Sequence, residues 1–252
     1  MTVVRLTDRT VVDSVFTGHW PWQVRTSPSG DYVCVSNQNS YSVSVIRTAD
    51  NTVTATVLVG TTPGPIAFRP TGDFVYVANT GDGTVSVIRT SDNTVVATIP
   101  IGGGPHGITC LPNGEYVYTA NTLTGDVSVI RTSDNTVVAT VQVGGAPHRA
   151  CALLDGSAVY VTRRRENKVF VIRTSDNTLV DSFVTGTYAA GIAMFPASEY
   201  AYVVNSGENT MSVIRPLLTH SSRRYRRAAR RWELPLRLPA ISSTRRIEAV
   251  RA

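Results

Sequence analysis

The most constraining feature of the chain is a repeat of 42 residues. The string IRTSDNT begins at Ile88, Ile130 and Ile172, and the near-copy IRTADNT begins at Ile46. Segment 85–98, VSVIRTSDNTVVAT, recurs unchanged at 127–140. The register runs further in both directions. Val4-Arg5 lies one period before Ile46-Arg47, and Ile214-Arg215 lies one period after Ile172-Arg173. A fixed period of this kind marks a unit that does not bury its apolar surface alone and stacks on copies of itself.

One unit reads as four short strands. PHGITCL (105–111) is the first, and PNG (112–114) turns the chain, with Gly114 able to supply a positive φ. EYVYTAN (115–121) is the second strand, rich in aromatic and β-branched residues. After the loop TLTGD comes VSVIRT (127–132), the turn SDN and the fourth strand TVVATVQVG (136–144). Four strands in about 42 residues is the period of a propeller blade. The residue pattern agrees. A sheet with one wet face alternates apolar and polar residues. Here FVYVA (74–78) and VSVI (85–88) are apolar or small on both faces, as a sheet covered on both sides requires. No helical period persists before residue 216.

The expected fold is therefore all-β, a β-propeller of about five four-stranded blades. The ends qualify the count. The chain opens on a partial third strand (TVVR, 2–5) and a fourth strand (TVVDSVF, 10–16). Four full repeats follow, and then a first strand (189–195), a second (200–205) and a third (211–215). The N-terminal fourth strand can complete the last blade and close a ring of five, which removes free edges. The alternative is an incomplete ring, an arc of a longer array.

The segment VYVANTGDGTVSVIRTSDNTVVATIPIGGGPHGI (75–108), with YVAN at 76–79, YTAN at 118–121, YVTR at 160–163 and YVVN at 202–205, resembles the YVTN-type β-propeller repeats of microbial surface-layer and cell-envelope proteins. The resemblance covers roughly 1–215. It implies a propeller, commonly of seven blades, in proteins that are often exported and serve interaction or scaffolding. The implied partner is a protein or cell-surface ligand, and the implied location is the cell envelope or the exterior. The N-terminus, MTVVRLTDRT, has Arg5 and no apolar run behind it, so it predicts no secretory signal. No run of apolar residues is long enough for a transmembrane helix.

Residues 216–252 stand outside the repeat as an Arg-rich segment. Where four units read IRT-x-DNT, this one reads IRP, and Pro216 removes a backbone donor. The formal charge of the whole chain is +6, but ten of its 24 Lys+Arg and two of its 18 Asp+Glu lie in this segment. That leaves 1–215 at −2 and the segment at +8. Net charge therefore says nothing of partners for the repeats. Two readings compete for the segment. Arg clusters with Tyr225 and Trp232 interleaved suit nucleic acid or another polyanion. Alternatively, Arg223-Arg224-Tyr225-Arg226-Arg227 back-translates to CGT CGC TAC CGT CGC. Shifted by one nucleotide, that string reads Val-Ala-Thr-Val, the expected fourth-strand sequence, so the repeat would be truncated by a frameshift.

Candidate site residues follow from departures within the array. His106 and His148 are equivalent, one period apart, where other units carry Trp22, Gly64 and Ala190. They precede the first strand, which lines the axial channel of a propeller, so adjacent blades bring both imidazoles to one rim. Two histidines fall short of a metal site, which needs three or four ligands. Trp20 and Trp22 form an aromatic cluster at the same rim, fit either for packing or for binding. Arg163, Arg164, Arg165 and Lys168 replace the usual loop with TRRRENK, a candidate anion or partner loop. The Asp-Asn turns lack the spacing of a calcium loop. Cys34, Cys110 and Cys151 show neither metal-ligand nor disulfide spacing and are expected to pack as small apolar groups. No nucleophile motif appears, and no catalytic residue, metal or cofactor is expected. The leading function is a non-enzymatic interaction or scaffold propeller. The alternatives are a lactonase- or lyase-like propeller enzyme with an axial metal, and polyanion binding through 216–252.

Overall fold

The computed structural model describes residues 1–194 and 200–215. These residues form antiparallel strands, joined by turns and one 3-10 turn at Gln38–Ser40. An N-terminal hairpin pairs β1 (Thr2–Val4) with β2 (Val11–Ser14). Four complete blades follow. They contain β3 (Pro21–Thr26) to β6 (Thr52–Leu58), with β4 (Tyr32–Asn37) and β5 (Ser42–Arg47) between, then β7 (Pro63–Phe68), β8 (Phe74–Asn79), β9 (Thr84–Arg89) and β10 (Thr94–Pro100). The third comprises β11 (Pro105–Cys110), β12 (Tyr116–Asn121), β13 (Asp126–Arg131) and β14 (Thr136–Gln142). The fourth comprises β15 (Pro147–Ala152), β16 (Ala158–Arg163), β17 (Lys168–Arg173) and β18 (Thr178–Val184). A last sheet holds β19 (Ala189–Met194), β20 (Ala201–Asn205) and β21 (Thr210–Ile214). Within every sheet each strand pairs with its neighbour in sequence.

The blades are arranged radially. Successive first strands β3, β7, β11, β15 and β19 touch one another in turn, whereas the fourth strands barely meet. Inner edges converge and outer edges splay, which is the propeller arrangement. The apolar residues explain it, because alternate residues of one strand serve two different interfaces. Val75 and Val77 pack back against Cys34, Val43 and Val45 of the first blade. Tyr76 and Ala78, on the opposite face, pack forward against Ile108, Val117 and Ile130. The same division recurs between the third and fourth blades and between the fourth and the last. The core of the molecule is thus a series of interfaces between blades.

The repeated motif is explained by its turn. In blade two, Arg89 donates from Nε and Nη2 to Asp92, and Asp92 accepts from the backbone N–H and hydroxyl of Thr94. Asn93 between them sits at φ 55°, in the left-handed region that asparagine tolerates best after glycine. The same arrangement holds at Arg47/Asp50/Thr52, Arg131/Asp134/Thr136 and Arg173/Asp176/Thr178. Gly114 adopts φ 75°, as its turn requires. A second repeated device closes the inner end of every blade but the fourth. Asn79 Nδ2 donates to Thr84 and Ser86, and Asn37, Asn121 and Asn205 do the same in their own sheets.

Hydrogen bonds also link neighbouring blades. The Tyr76 hydroxyl donates to Asn135 Oδ1 at 3.3 Å, and the Tyr118 hydroxyl donates to Asn177 Oδ1 at 2.6 Å. The tyrosine of one blade thus holds the turn of the next, and burial raises the pKa of both phenols to about 12.

Closure of a ring of five by the N-terminal strand is not what forms. β2 pairs with β1, and their hairpin packs through Met1, Val3 and Val15 onto Val33, Val35 and Ile46 of the first full blade. Among the described residues, β21 pairs with β20 alone. The reason lies in the pairing: β2 gives its ladder to β1, so the hairpin caps the first full blade through its apolar residues and does not extend the last sheet. The described residues therefore form an arc, and its last blade leaves Val204, Met211 and Val213 exposed. The Arg-rich segment and the frameshift expectation, both at 216–252, lie outside the described residues. Among the described residues no helix is long and apolar enough to cross a membrane.

Replacing Tyr118 by Phe removes one hydrogen bond between blades without removing the ring. The expected cost is about 1 kcal/mol in urea unfolding. Tyr116→Phe, whose hydroxyl makes no such link, is expected to leave the midpoint unchanged.

Candidate functional site

The start of each first strand lies beside the loop that joins strands two and three of the same blade. Backbone bonds fix this. Gln38 N–H donates to Trp20 O, Leu123 N–H to Gly103 O, and Ser206 N–H to Tyr188 O. One rim of the arc therefore gathers the residues before the first strands and the loops 38–41, 122–125, 164–167 and 206–209.

This rim carries the exposed aromatic side chains. Trp20 is 70% exposed, Trp22 49% and Tyr188 51%. Tyr41 and Leu123 are exposed on the neighbouring loops. Trp22 touches the Gly64 position, but about half of its surface and most of that of Trp20 is free, so neither fills the interior. Trp20 and Tyr188 occupy equivalent positions and have φ 53° and 56°. Bulky side chains are disfavoured at positive φ, and such strain persists where the surroundings impose it. Tyr41, at φ 50°, is a third case.

His106 and His148 are brought together, as their spacing predicts. Their rings stack with centroids 5.6 Å apart and planes 17° from parallel. Gly107 permits the approach: a Cβ there would lie 2.8 Å from the Ala150 nitrogen on β15. The ring of His148 reaches the Ala190 carbonyl of the next blade at 2.9 Å through Nδ1. A carbonyl only accepts, so Nδ1 carries the proton and Nε2 keeps its lone pair. Burial first, then the charges of Arg149 and Arg164, keeps His106 neutral below its ordinary range. Burial lowers His148 further, to about 4, against the opposing effect of the Ala190 bond. The two rings lie face to face. Among the described residues no third His, Cys, Asp or Glu joins them to make a metal-binding group.

The basic loop divides. Arg163 turns inward: its side chain is 11% exposed, pairs with Glu166, and donates from Nη1 to Val143 O at 2.8 Å. Its guanidinium lies 4.6 Å from the Phe170 ring centre. Arg163 holds the place of the asparagine that closes the other blades, and Phe170 holds the place of their serine. One stacked pair replaces one hydrogen-bonded pair. Arg164 points to the rim, 5.6 Å from the Tyr188 ring centre. Arg165 is exposed, and Lys168 begins β17 at the edge of the loop. The loop thus supplies Arg164 to the same rim as Tyr188, His106 and His148.

Sequence spacing identified the histidines and tryptophans. It missed Tyr188, which is equivalent to Trp20 four periods on and was open to the same argument. It also missed Arg149, which donates from Nη1 to the His106 carbonyl at 3.0 Å. The thiols of Cys34 and Cys110 are raised to about 12 by burial, and Cys151 is raised by the same cause. Thiols held protonated this way are poor nucleophiles.

The YNCE-like beta-propeller family matches residues 1–159. No curated protein matches the chain. A chain of Kuenenia stuttgartiensis hydrazine synthase is similar in structure, with a TM-score of 0.70 and 24% identity, over 75% of this chain and 56% of that one. This chain therefore spans little more than half of that relative. A functionally unknown protein from Desulfotomaculum acetoxidans DSM 771 is also similar, with a TM-score of 0.72 and 18% identity, over 85% and 74% of the two chains. At these identities the likeness is one of fold.

Two outcomes test the site. The first is a double-mutant cycle. Arg163→Asn and Phe170→Ser each alone are expected to destabilise, and the pair together is expected to recover about 1 kcal/mol or more over additivity. Urea unfolding of the four proteins measures it. The second is the His148 titration, followed by NMR of its ring protons, with an expected midpoint near 4. The folded pKa lies below the unfolded 6.5, so the unfolded chain binds the proton first. Stability from this group is full above pH 6.5 and declines as pH falls from 6.5 towards 4.

Proposed function

Because the chain belongs to the YNCE-like β-propeller family, we propose that it is a non-enzymatic interaction module that docks a partner on its loop rim. The observation that carries this reading is the set of exposed aromatics gathered on one rim, three of them held at positive φ. Aromatic side chains with an arginine beside them are the usual anchors of protein interfaces. Trp20, Trp22, Tyr41 and Tyr188 offer apolar area, and Arg164 beside Tyr188 adds a charge able to pair with a carboxylate. The rest of the rim is backbone turn with the exposed Leu123 and the acids Asp82, Glu166 and Glu208, of which Asp82 and Glu208 accept from the backbone N–H of Thr61 and Thr187 and Glu166 pairs with Arg163.

The YVTN-type resemblance adds that the partner is a component of the cell envelope or surface. A propeller enzyme with an axial metal draws no support from the donor set. Acidic side chains of the repeat sit in the outer turns, where Asp50, Asp92, Asp134 and Asp176 are each engaged by an arginine. Polyanion binding through 216–252 would rest wholly on residues outside those described.

Site-specific photo-crosslinking in an extract of the source cells tests the docking. A crosslinker at position 123 on the rim is expected to give a discrete adduct, and one at position 96 on an outer strand is not. Trp20→Ala combined with Arg164→Glu is expected to remove the adduct while leaving the unfolding midpoint in place. Equal adducts from both positions, or an adduct indifferent to the double change, would overturn the rim as the docking face.

A further inference from the structure

The two ends of the arc are unfinished in complementary ways. Every interface between full blades uses the same positions. One blade offers a third-strand pair, Val43 and Val45 or their equivalents Val85 and Val87, and the next blade answers from its first three strands. These valines are buried, as are Val127, Val129, Val169 and Val171 in the later blades. Each first strand also lies against the second strand of the blade before it. On the last blade the equivalent pair is Met211 and Val213, with Val204 beside it on β20, and all three are about half exposed. At the first full blade the opposite face is incomplete. The hairpin there supplies β1 and β2, a third and a fourth strand by the period, and so gives β3 no second strand to lie against. Val24 on β3 is accordingly half exposed, whereas its equivalents Ile66 and Ile108 are buried.

The seat on the first full blade already shows what it accepts. β1 places Met1 and Val3 against Val33, Val35 and Ile46. Five periods on, β21 carries the same two residue types, as Met211 and Val213. β2 matches the other half. Residues 10–18 read TVVDSVFTG, and 178–186, which hold the fourth strand β18, read TLVDSFVTG. The registers agree as well. Val3 faces Asp13 and Val4 faces Val11, as Val171 faces Asp181 and Ile172 faces Leu179. β2 is thus a fourth strand held by a short third strand. β1 pairs with it at three positions with a shift in register, whereas β21 pairs with β20 at five positions without one. The outer edges of β5, β9, β13 and β17 each carry a fourth strand, and that of β21 carries none among the described residues.

We propose that the arc assembles head to tail with a second copy of this chain. The last blade of one copy seats on the first full blade of the next. There β21 replaces β1, Met211 and Val213 take the seat of Met1 and Val3, and β2 of the receiving copy pairs with β21 as its fourth strand. The composite blade has four strands, covers Val24 with β20 and buries Val204. The contact continues the interface that the chain already makes between its own blades, and it removes both the open edge and the half-bare face. Such a contact is heterologous, so each assembly keeps one free end of either kind and grows beyond two copies. Trp20, Tyr188 and Arg164 on the rim take no part in it.

Sedimentation velocity of the full chain tests this. The mass is expected to rise with concentration, from monomer through dimer to longer species. Met211→Asp and Val24→Asp put a carboxylate into the contact from either side. Each variant alone is expected to sediment as a monomer. Mixed in equal amounts, the two are expected to form a dimer and go no further, because each supplies the end that the other has lost. Val96→Asp, at an exposed position of the outer strand β10, is expected to assemble as the unchanged chain does. Met211 and Val24 are both exposed in the single chain, so their variants are expected to keep its unfolding midpoint. A chain that stays monomeric at every concentration, or a mixture of the two variants that does, overturns the proposal. So does a Val24→Asp variant that still forms dimers, which would mark a two-fold contact of the last blade with itself. Failure of the rim crosslink leaves these outcomes unaffected, and the reverse also holds.

Discussion

Each blade of this chain is a sheet with two apolar faces, and neither face is satisfied within the blade. Val75 and Val77 need the preceding blade, while Tyr76 and Ala78 need the following one. Neighbour packing is therefore the interaction on which the rest depends. It sets the radial arrangement, because first strands must approach closely while fourth strands splay. It also places the loops between strands two and three on one rim with the starts of the first strands. The tyrosine hydroxyls extend the dependence from packing to polar contacts, since Tyr76 and Tyr118 reach turns that belong to the next blade. In such an array stability is carried by interfaces between units, so a change in one blade is felt mainly by its two neighbours.

The most conspicuous words of the sequence turn out to be structural. Arg, Asp, Asn and Thr of IRT-x-DNT fold one turn: the arginine holds the aspartate, the aspartate holds the threonine, and the asparagine takes the left-handed position. The asparagine that ends YVAN closes the sheet against Ser86. These roles leave little in the repeat for recognition. Whatever differs between blades is then more informative than whatever repeats. Trp20, Tyr188, the histidine pair, Arg149, and the exchange of Asn–Ser for Arg163–Phe170 are all departures, and most of them cluster on one rim and the adjacent inner wall.

How far the sequence could be read follows from this. The strands of the unit at 105–144 are recovered within a residue or two, because alternation, turn glycines and the period all point the same way. The meeting of His106 and His148 is legible for the same reason, since equivalent positions in adjacent blades are neighbours in space. The inward turn of Arg163 is not legible from its own residue type. Three consecutive arginines read as a solvated loop, and only the simultaneous loss of Ser for Phe170 reveals a stacking partner. Ring closure was undecidable by strand count alone. β2 pairs with β1 in a hairpin of its own, and a count of strands does not register which partner a strand takes.

The charge of the repeats is segregated, and the segregation matters more than its sum. The carboxylates of Asp92 and Asp134 lie in outer turns, held near pKa 2 chiefly by their arginine hydrogen bonds, so they stay ionised and locally neutralised. The inner strands carry no acid, and their histidines are held neutral by burial and by nearby arginines. Above the His148 transition near pH 4, these strands therefore carry no charge from that imidazole. In a nearly neutral array the outer acids are thus already paired where they stand, each by the arginine of its own turn.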